Sequence, residues 1–409
     1  MREHTDTALY QTWRTLSESL LAPDRDALED AAGGHSIVAR SHGSWLALPG
    51  ERQRLLLVPS RNRAAQRTGL RFFLVSASHL THAKLALTAS QWIARARLPQ
   101  LSLPEASAPT LIDRLSVTES PQVAFSIGPA GQSQKASMLL MSQLGDPQVL
   151  VKISMHAGAD QLIAHEAKWL RKLSASLLLA PHVPTLLRYG STRDGRHYLV
   201  TTVMPGRTNG ATFTDAHRHF LRMLSTIQYE YRDWSVSTMG HYLTSGLEKL
   251  AASMTSQLHA LLATAVAECA QCLLSWHGPY VTAHGDFSPG NIRGDTRSIA
   301  VFNWEHAIGG AVPIFDVLHF MVAPRVSAGR PVGIKEWKTA LAQAQAYAQP
   351  VFADYEWDAS TVAAQGLAYL LYRILFYSLA HGGVIENDSM TEGYLKLVEE
   401  RAQWRQWAH

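Results

Sequence analysis

The stretch His284-Gly-Asp-Phe-Ser-Pro-Gly-Asn291 sets a carboxylate, Asp286, and an amide, Asn291, five residues apart in a segment that reads as a loop. A carboxylate held in a loop can orient a hydroxyl group and take its proton. An amide nearby can turn its carbonyl oxygen toward a magnesium ion on a nucleotide. Tyr280-Val281 before the loop and Ile299-Ala-Val-Phe after it read as short strands, and the second runs into Asn303-Trp-Glu305, which brings further oxygen ligands. In extended chain alternate residues point the same way, so Glu305 is expected beside Asn303. The plainer reading of Asp286 is a turn-capping aspartate. His284 reads as a brace for the loop.

Two charges further upstream lie in apolar surroundings. Lys152 interrupts Val149-Leu-Val-Lys-Ile, a strand pattern, and Glu166 lies in His165-Glu-Ala-Lys-Trp-Leu, a helix pattern. Lys152 is either a solubilising charge on a strand edge or a compact point charge for phosphate. Gly128-Pro-Ala-Gly131 lets a backbone approach a phosphate closely, and it fits an ordinary hairpin turn equally well.

The elements that must position these groups follow from periodicity. Strands are predicted at 44–48, 54–58 and 71–75, with helices over 10–30 and 79–97. Pro99 to Pro109 concentrates Pro and Ser, the composition of an inter-domain connection. Beyond it, 122–127, 135–141 and 148–154 form a β-meander, followed by a helix over 157–174 and strands at 185–189 and 198–203. Helical spacing dominates from Thr212 onward.

With these residues in this order, residues 120 to 400 resemble the kinase-like phosphotransferases of the aminoglycoside phosphotransferase and choline kinase type. The resemblance implies an α+β, bilobal, protein-kinase-like fold: a small β-rich N-lobe over 118–206 and a large helical C-lobe over 207–409 carrying the catalytic loop. An additional small α/β accessory domain, with a basic segment, is expected over 1–110. ATP and Mg2+ are the implied cofactors. Lys152 would bond the α and β phosphates with Glu166 steadying it, and Gly128 and Gly131 would sit near the phosphates. Thr202 and Val203, in Tyr198-Leu-Val-Thr-Thr-Val-Met204-Pro-Gly206, would meet the adenine through their backbone. Asp286 would act on the acceptor hydroxyl, while Asn291, Asn303 and Glu305 would face the metal. Asp316, in Pro313-Ile-Phe-Asp316, resembles the family's buried aspartate that holds the catalytic-loop backbone.

One position departs from the family. Asn303 stands where an aspartate binds the metal, and it brings no charge. A unit charge and a divalent ion about 4 Å apart exchange roughly 2 to 8 kcal/mol at effective dielectrics of about 80 to 20, so metal affinity should fall. Two readings follow. The first is an ATP-dependent phosphotransferase acting on a hydroxyl of a small molecule such as a sugar or amino alcohol. The second is a pseudokinase, a nucleotide-binding regulatory or scaffold module with a degenerate metal site.

Composition narrows the classes further. The 409 residues, 46% hydrophobic and 17% charged, are enough for two packed domains and exclude a disordered or fibrous chain. Residues 41–100 hold nine basic side chains against the single acid Glu51, a surface that an anionic or protein partner would fit. No base-reading motif accompanies them, so nucleic acid is not expected. The two cysteines, Cys269 and Cys272, are too few for a disulfide scaffold and read as core thiols one helical turn apart. The N-terminus opens polar, and the apolar span 361–380 carries Gln365 and Arg373, which suits a buried helix. A cytoplasmic protein without a transmembrane segment is therefore expected.

Overall fold

Alternating side chains build the first part of the molecule. Along β1 (Ser44–Pro49), Trp45 and Ala47 enter one apolar cluster and Leu46 and Leu48 another; along β4 (Gln122–Ile127), Val123, Phe125 and Ile127 join the first and Ala124 the second. A sheet with both faces buried results, as period-two alternation of uniformly apolar residues requires. Its strands run in the order β3 (Gln100–Ser102), β1, β2 (Leu55–Pro59), β4, β5 (Lys135–Met141), β6 (Pro147–Ser154), β8 (His197–Thr202), β7 (Leu186–Ser191). All neighbours are antiparallel. The computed structural model describes residues 44–49, 54–74, 100–102 and 121–407, except 193, 207–209, 211, 381–388 and 406, together with Trp13, Thr15, Leu16, Ile112 and Leu115.

Two features differ from the sequence reading. Residues 71–73 are not strand but the last turn of a helix, α1 (Arg63–Phe73). Asn62 caps it by accepting the Ala65 N–H at 3.0 Å, and the buried face runs through Ala65, Gly69 and Leu70. The Phe72-Phe73 pair carries a strand-like composition, but the cap and the helical face begin upstream of it and prevail. Gly69 lets α1 lie close on the sheet, since a Cβ there would come within 2.6 Å of the Ala124 Cβ. Arg63, Arg67 and Arg71 are exposed on α1.

The second difference concerns the boundary placed near 99–109. Strands on both sides of it belong to one sheet: β2 pairs with β4 in the register Leu55 to Ile127 and Leu57 to Phe125. Trp45 and Phe125 pack edge to face at 5.4 Å, Trp13 packs on both, and the Trp45 indole N–H donates to the Val123 carbonyl at 2.6 Å. The first compact unit accordingly runs from the N-terminus through Ser174, with 184–204 added. The helix expected over 79–97 lies outside the described residues, as does all of the one over 10–30 except Trp13, Thr15 and Leu16, which are helical. From 122 to 174 the reading and the structure agree closely, and α2 (Ala157–Ser174) has the expected bounds.

The second unit, 175–183 with 205–409, is mostly helical. Its helices are α3 (Asp215–Ser225), α4 (Thr238–Leu250), α5 (Ser256–Cys272), α6 (Phe315–Val326), α7 (Ile334–Val351), α8 (Ala359–Ala380), α9 (Ser389–Glu399) and α10 (Arg401–Trp404). A three-stranded sheet has the order β13 (Ile308–Ala311), β10 (Tyr280–Ala283), β9 (Tyr229–Glu230), and β11 (Ile292–Gly294) pairs with β12 (Ile299–Val301). The His284–Asn291 segment spans the gap from β10 to β11.

Helix α8 organises the unit, packing against α4, α5, α6, α7 and α9. Among the described residues it is the one helix long and apolar enough to cross a membrane, and its residues from Val362 to Leu375 are buried within the unit. Burial on every side explains a helix that is apolar all round. Asp358 accepts the Thr361 N–H at 2.7 Å and so caps its start. Cys269 of α5 is buried in the same core, and the Cys272 sulfur accepts from the Arg405 guanidinium at 2.8 Å.

Candidate active site

Gly285 makes the His284–Asn291 loop possible. Its φ of 79° lies in the left-handed region, and a Cβ there would stand 1.9 Å from the His306 carbonyl oxygen. Only glycine fits that approach. The backbone around it is held from below. Asp316, in the first turn of α6, accepts the His284 N–H at 2.6 Å and the Gly285 N–H at 3.1 Å, and Arg373 of α8 donates to the Gly285 carbonyl at 2.8 Å. Burial raises the Asp316 carboxyl to about 7 against the opposing pull of those two amides. His284 braces the loop as expected: Nδ1 accepts the Asp286 N–H at 3.1 Å and Nε2 donates to the Phe302 carbonyl at 3.0 Å. One donor and one acceptor suit a neutral imidazole, and burial lowers this one to about 4.

Asp286 is thereby presented with its side chain 35% exposed, enough for a reactant to reach it. Its Oδ2 accepts from Asn291 Nδ2 at 2.7 Å, and the same amide donates to the Asp286 carbonyl at 2.9 Å. Its Oδ1 meets His319 Nε2 at 3.0 Å. Burial disfavours the charged carboxylate, but the His319 hydrogen bond and the nearby positive groups outweigh it and hold the group below the ordinary aspartate range.

The chain of contacts continues to the next strand end. Because both partners of Asn291 Nδ2 are acceptors, its carbonyl oxygen must face the other way, where it accepts from Asn303 Nδ2 at 2.6 Å. Asp286, Asn291 and Asn303 are thus linked side by side, three of the residues singled out in the sequence. Asn303 has φ 68° and ψ 61°, the one non-glycine residue of positive φ among those described, a conformation asparagine tolerates better than most.

That same geometry corrects the expectation for Glu305. The chain after Asn303 is not extended but turns through a short 3₁₀ segment, Trp304–His306, so the alternation argument does not apply; the Glu305 carboxylate lies 3.5 Å from His306 Nε2 in its own turn.

For a divalent cation the fit is partial. Asn291 and Asn303 are adjacent oxygen donors, and Glu305 is a carboxylate on the same segment. Among the described residues no three His, Cys, Asp or Glu side chains cluster as a metal cage. An aspartate at 303 would oppose the Asn291 carbonyl, acceptor against acceptor, and would need a cation between them. Asn303 closes that contact with its own hydrogen bond.

The first unit carries the remaining pair. Lys152 lies in the interior of the sheet, opposite Ser137 of β5 and Leu199 of β8, and not on an edge. Its ammonium donates to both Glu166 oxygens at 2.7 Å, with side chains only 5% and 3% exposed. Glu166 shares the buried face of α2 with Ile163, Ala167 and Leu170, which fixes its direction. The 128–131 turn is tied down by Gly128 N–H to Lys135 O at 2.9 Å and by Gln134 Nε2 to Gly128 O at 3.0 Å. Gly131 has φ 147°, and a Cβ there would meet nothing within 4 Å. Thr202 commits its N–H to the Thr185 carbonyl at 3.0 Å and its hydroxyl to the Thr185 N–H at 2.9 Å. Val203 packs on the second apolar cluster.

His319, Tyr369 and Arg373 were missed in the sequence. The signal for His319 was present, since it lies three residues after Asp316 and so on the same face of α6.

A search of curated proteins found no match. Solved structures similar to this chain include a thermostable mutant of aminoglycoside phosphotransferase APH(4)-Ia, 16% identical over 72% of this chain and 97% of the other, with a TM-score of 0.47. The GDP and kanamycin complex of APH(2")-IIIa is 16% identical over 72% and 97%, with a TM-score of 0.48. ADP-bound APH(2'')-Ib is 12% identical over 73% and 95%, with a TM-score of 0.44. The sequence model of the phosphotransferase enzyme family (APH) matches residues 130–355, more than half of the chain, and the protein therefore belongs to that family.

Proposed function

We propose that the protein transfers the γ-phosphoryl group of ATP to a hydroxyl of a small molecule, a sugar, amino alcohol or similar compound, in the cytoplasm. The observation that carries this reading is the Asp286 carboxylate: anchored through both oxygens, set on a braced loop, and still open on one side. An acceptor hydroxyl donating to it would be aligned for attack on the γ-phosphorus. As the new O–P bond forms and the bond to the β-phosphate oxygen breaks, the hydroxyl proton passes to Asp286.

A carboxylate held below the ordinary range is a weak base, so its main contribution is placement. That suits a loose transition state, in which the protein's work is positioning and electrostatics. Lys152 would serve the α and β phosphates, with Glu166 fixing the ammonium. Gly131 leaves room for close backbone approach. Asn291, Asn303 and Glu305 would hold magnesium, which when bound supplies positive charge to the phosphates. Glu305 is the only carboxylate in that set, so the metal requirement should be steep.

The experiment is magnesium-dependent ATP consumption by the purified protein against a panel of sugars, amino alcohols and nucleosides. Asp286→Ala should lower kcat about 10³-fold with the KM for ATP little changed. Asn303→Asp should lower the magnesium concentration needed for half-maximal rate. An Asp286→Ala rate equal to the parent's would end this reading.

A further inference from the structure

We propose that His319 is a positioning residue for the reaction: buried beneath the loop, it sets the plane of the Asp286 carboxylate by donating Nε2–H to Oδ1. The proposal rests on the phosphotransfer reading, in which that carboxylate receives the acceptor hydroxyl.

Helix α6 carries two residues that face the loop. Asp316 in its first turn fixes the loop backbone, and His319, one turn on, faces the same loop but contacts a side chain, Asp286, at 3.0 Å. A carboxylate can only accept, so Nε2 must carry the hydrogen. The other ring nitrogen, Nδ1, lies 3.1 Å from the Tyr369 hydroxyl, which can donate to it. That hydroxyl is itself 3.4 Å from the Tyr394 hydroxyl, inside the core. The Asp286 carboxylate therefore sets the tautomer, Tyr369 backs the ring from behind, and the ring cannot turn without losing a bond at each end. Full burial keeps the imidazole neutral, lowering it to about 4, so the donor orients without bringing a full positive charge against the base.

Geometry at the carboxylate completes the case. His319 takes one lone pair of Oδ1 and Asn291 one of Oδ2. Two donors on two different oxygens define the plane of the group, and the lone pairs that remain point along fixed directions for an incoming hydroxyl. A single donor would leave the carboxylate free to swing, and displacement by about 1 Å costs on the order of 10²-fold in rate. Asp316 and Arg373 hold the backbone of the loop; His319 is the α6 residue that reaches the reacting side chain.

The test compares His319→Gln, whose side-chain amide can place an N–H near the Nε2 position, with His319→Leu, which has none. Magnesium-dependent ATP hydrolysis, with water in place of the acceptor hydroxyl, gives the rate. His319→Leu should lower kcat about 10²-fold with the KM for ATP within twofold, and His319→Gln should recover to within about tenfold of the parent. A His319→Leu kcat within threefold of the parent overturns the proposal, as does a His319→Gln kcat no higher than that of His319→Leu.

A second measurement is independent of turnover. Nitrogen-15 NMR of the imidazole rings at pH 7 should show His319 protonated on Nε2, with a hydrogen-bonded proton shift that is lost in Asp286→Ala. A ring protonated on Nδ1, or one indifferent to Asp286→Ala, overturns the proposal. If the parent hydrolyses no ATP or His319→Leu fails to fold, this spectrum alone decides the role of His319; absent turnover in the folded parent counts against the phosphotransfer reading.

Discussion

The two charged constellations of this protein are built differently. In the first unit Lys152 and Glu166, fourteen residues apart, meet directly inside a sheet-and-helix sandwich, and each is aimed by its own element's periodicity. In the second unit Asp286 depends on residues from three separate segments: Asn291 within the loop, Asp316 and His319 on α6, and Arg373 on α8. A pair needs two correct elements. A braced loop needs a whole folded domain beneath it, so changes far from Asp286 in sequence should act on it.

That contrast can be broken by substitution. The largest effect is expected from Gly285→Ala, which forces a Cβ onto a backbone oxygen at 1.9 Å in a left-handed conformation. It should cost about 4 kcal/mol or more in urea unfolding and abolish turnover, because backbone cannot yield as a side chain can. A shift under about 1 kcal/mol would mean that the loop adapts easily and the bracing described here is dispensable.

In the first unit Lys152→Met leaves the Glu166 carboxylate buried without its partner and should destabilise by about 3 kcal/mol. The double variant Lys152→Met with Glu166→Leu should recover most of that stability while remaining defective in ATP use. Equal stability loss in the single and double variants would show that the pair is not the source.

The smallest effect is a slope. His217, His284 and His319 are buried and lowered to about 4, below the ordinary 6.5, so the unfolded chain binds more protons than the folded one between those values. Their contribution is complete above pH 6.5 and falls as the pH drops toward 4. Asp316, raised to about 7, works the other way: it favours the folded state at low pH and loses that contribution as pH rises from about 4 to 7. Three histidines against one aspartate leave a net loss of stability on acidification across this window. Each histidine replaced by glutamine should remove at most one proton from the slope, about 1.4 kcal/mol per pH unit, in denaturant titrations repeated between pH 4 and 7.

The same contrast explains what the sequence could be read for. Lys152, Glu166, Asp286 and Asn291 were legible because their neighbours are local: an apolar strand run, a helical face, a glycine and proline loop. The meander from 122 to 154 and α2 were legible for the same reason. What escaped was long-range. His319 and Arg373 are histidine and arginine on apolar helices; the spacing from Asp316 gave the face of His319, but only the packing of α6 and α8 under the loop reveals the partners of both. The extended alternation expected for Glu305 fails because a single left-handed residue, Asn303, replaces extended chain with a turn. Residues 71–73 were misjudged because the capping signal for α1 lies nine residues earlier, at Asn62.

The pairing of β2 with β4 changes how the leading residues should be regarded. Without the upstream strands β4 would be the exposed margin of this sheet, with its backbone amides and carbonyls unsealed and Phe125 stripped of Trp45 and Trp13. The upstream strands cover that margin, so a segment cut to begin at β4 is not a self-sufficient folding unit. A chain trimmed to it would present a sticky ribbon ready to recruit its own copies.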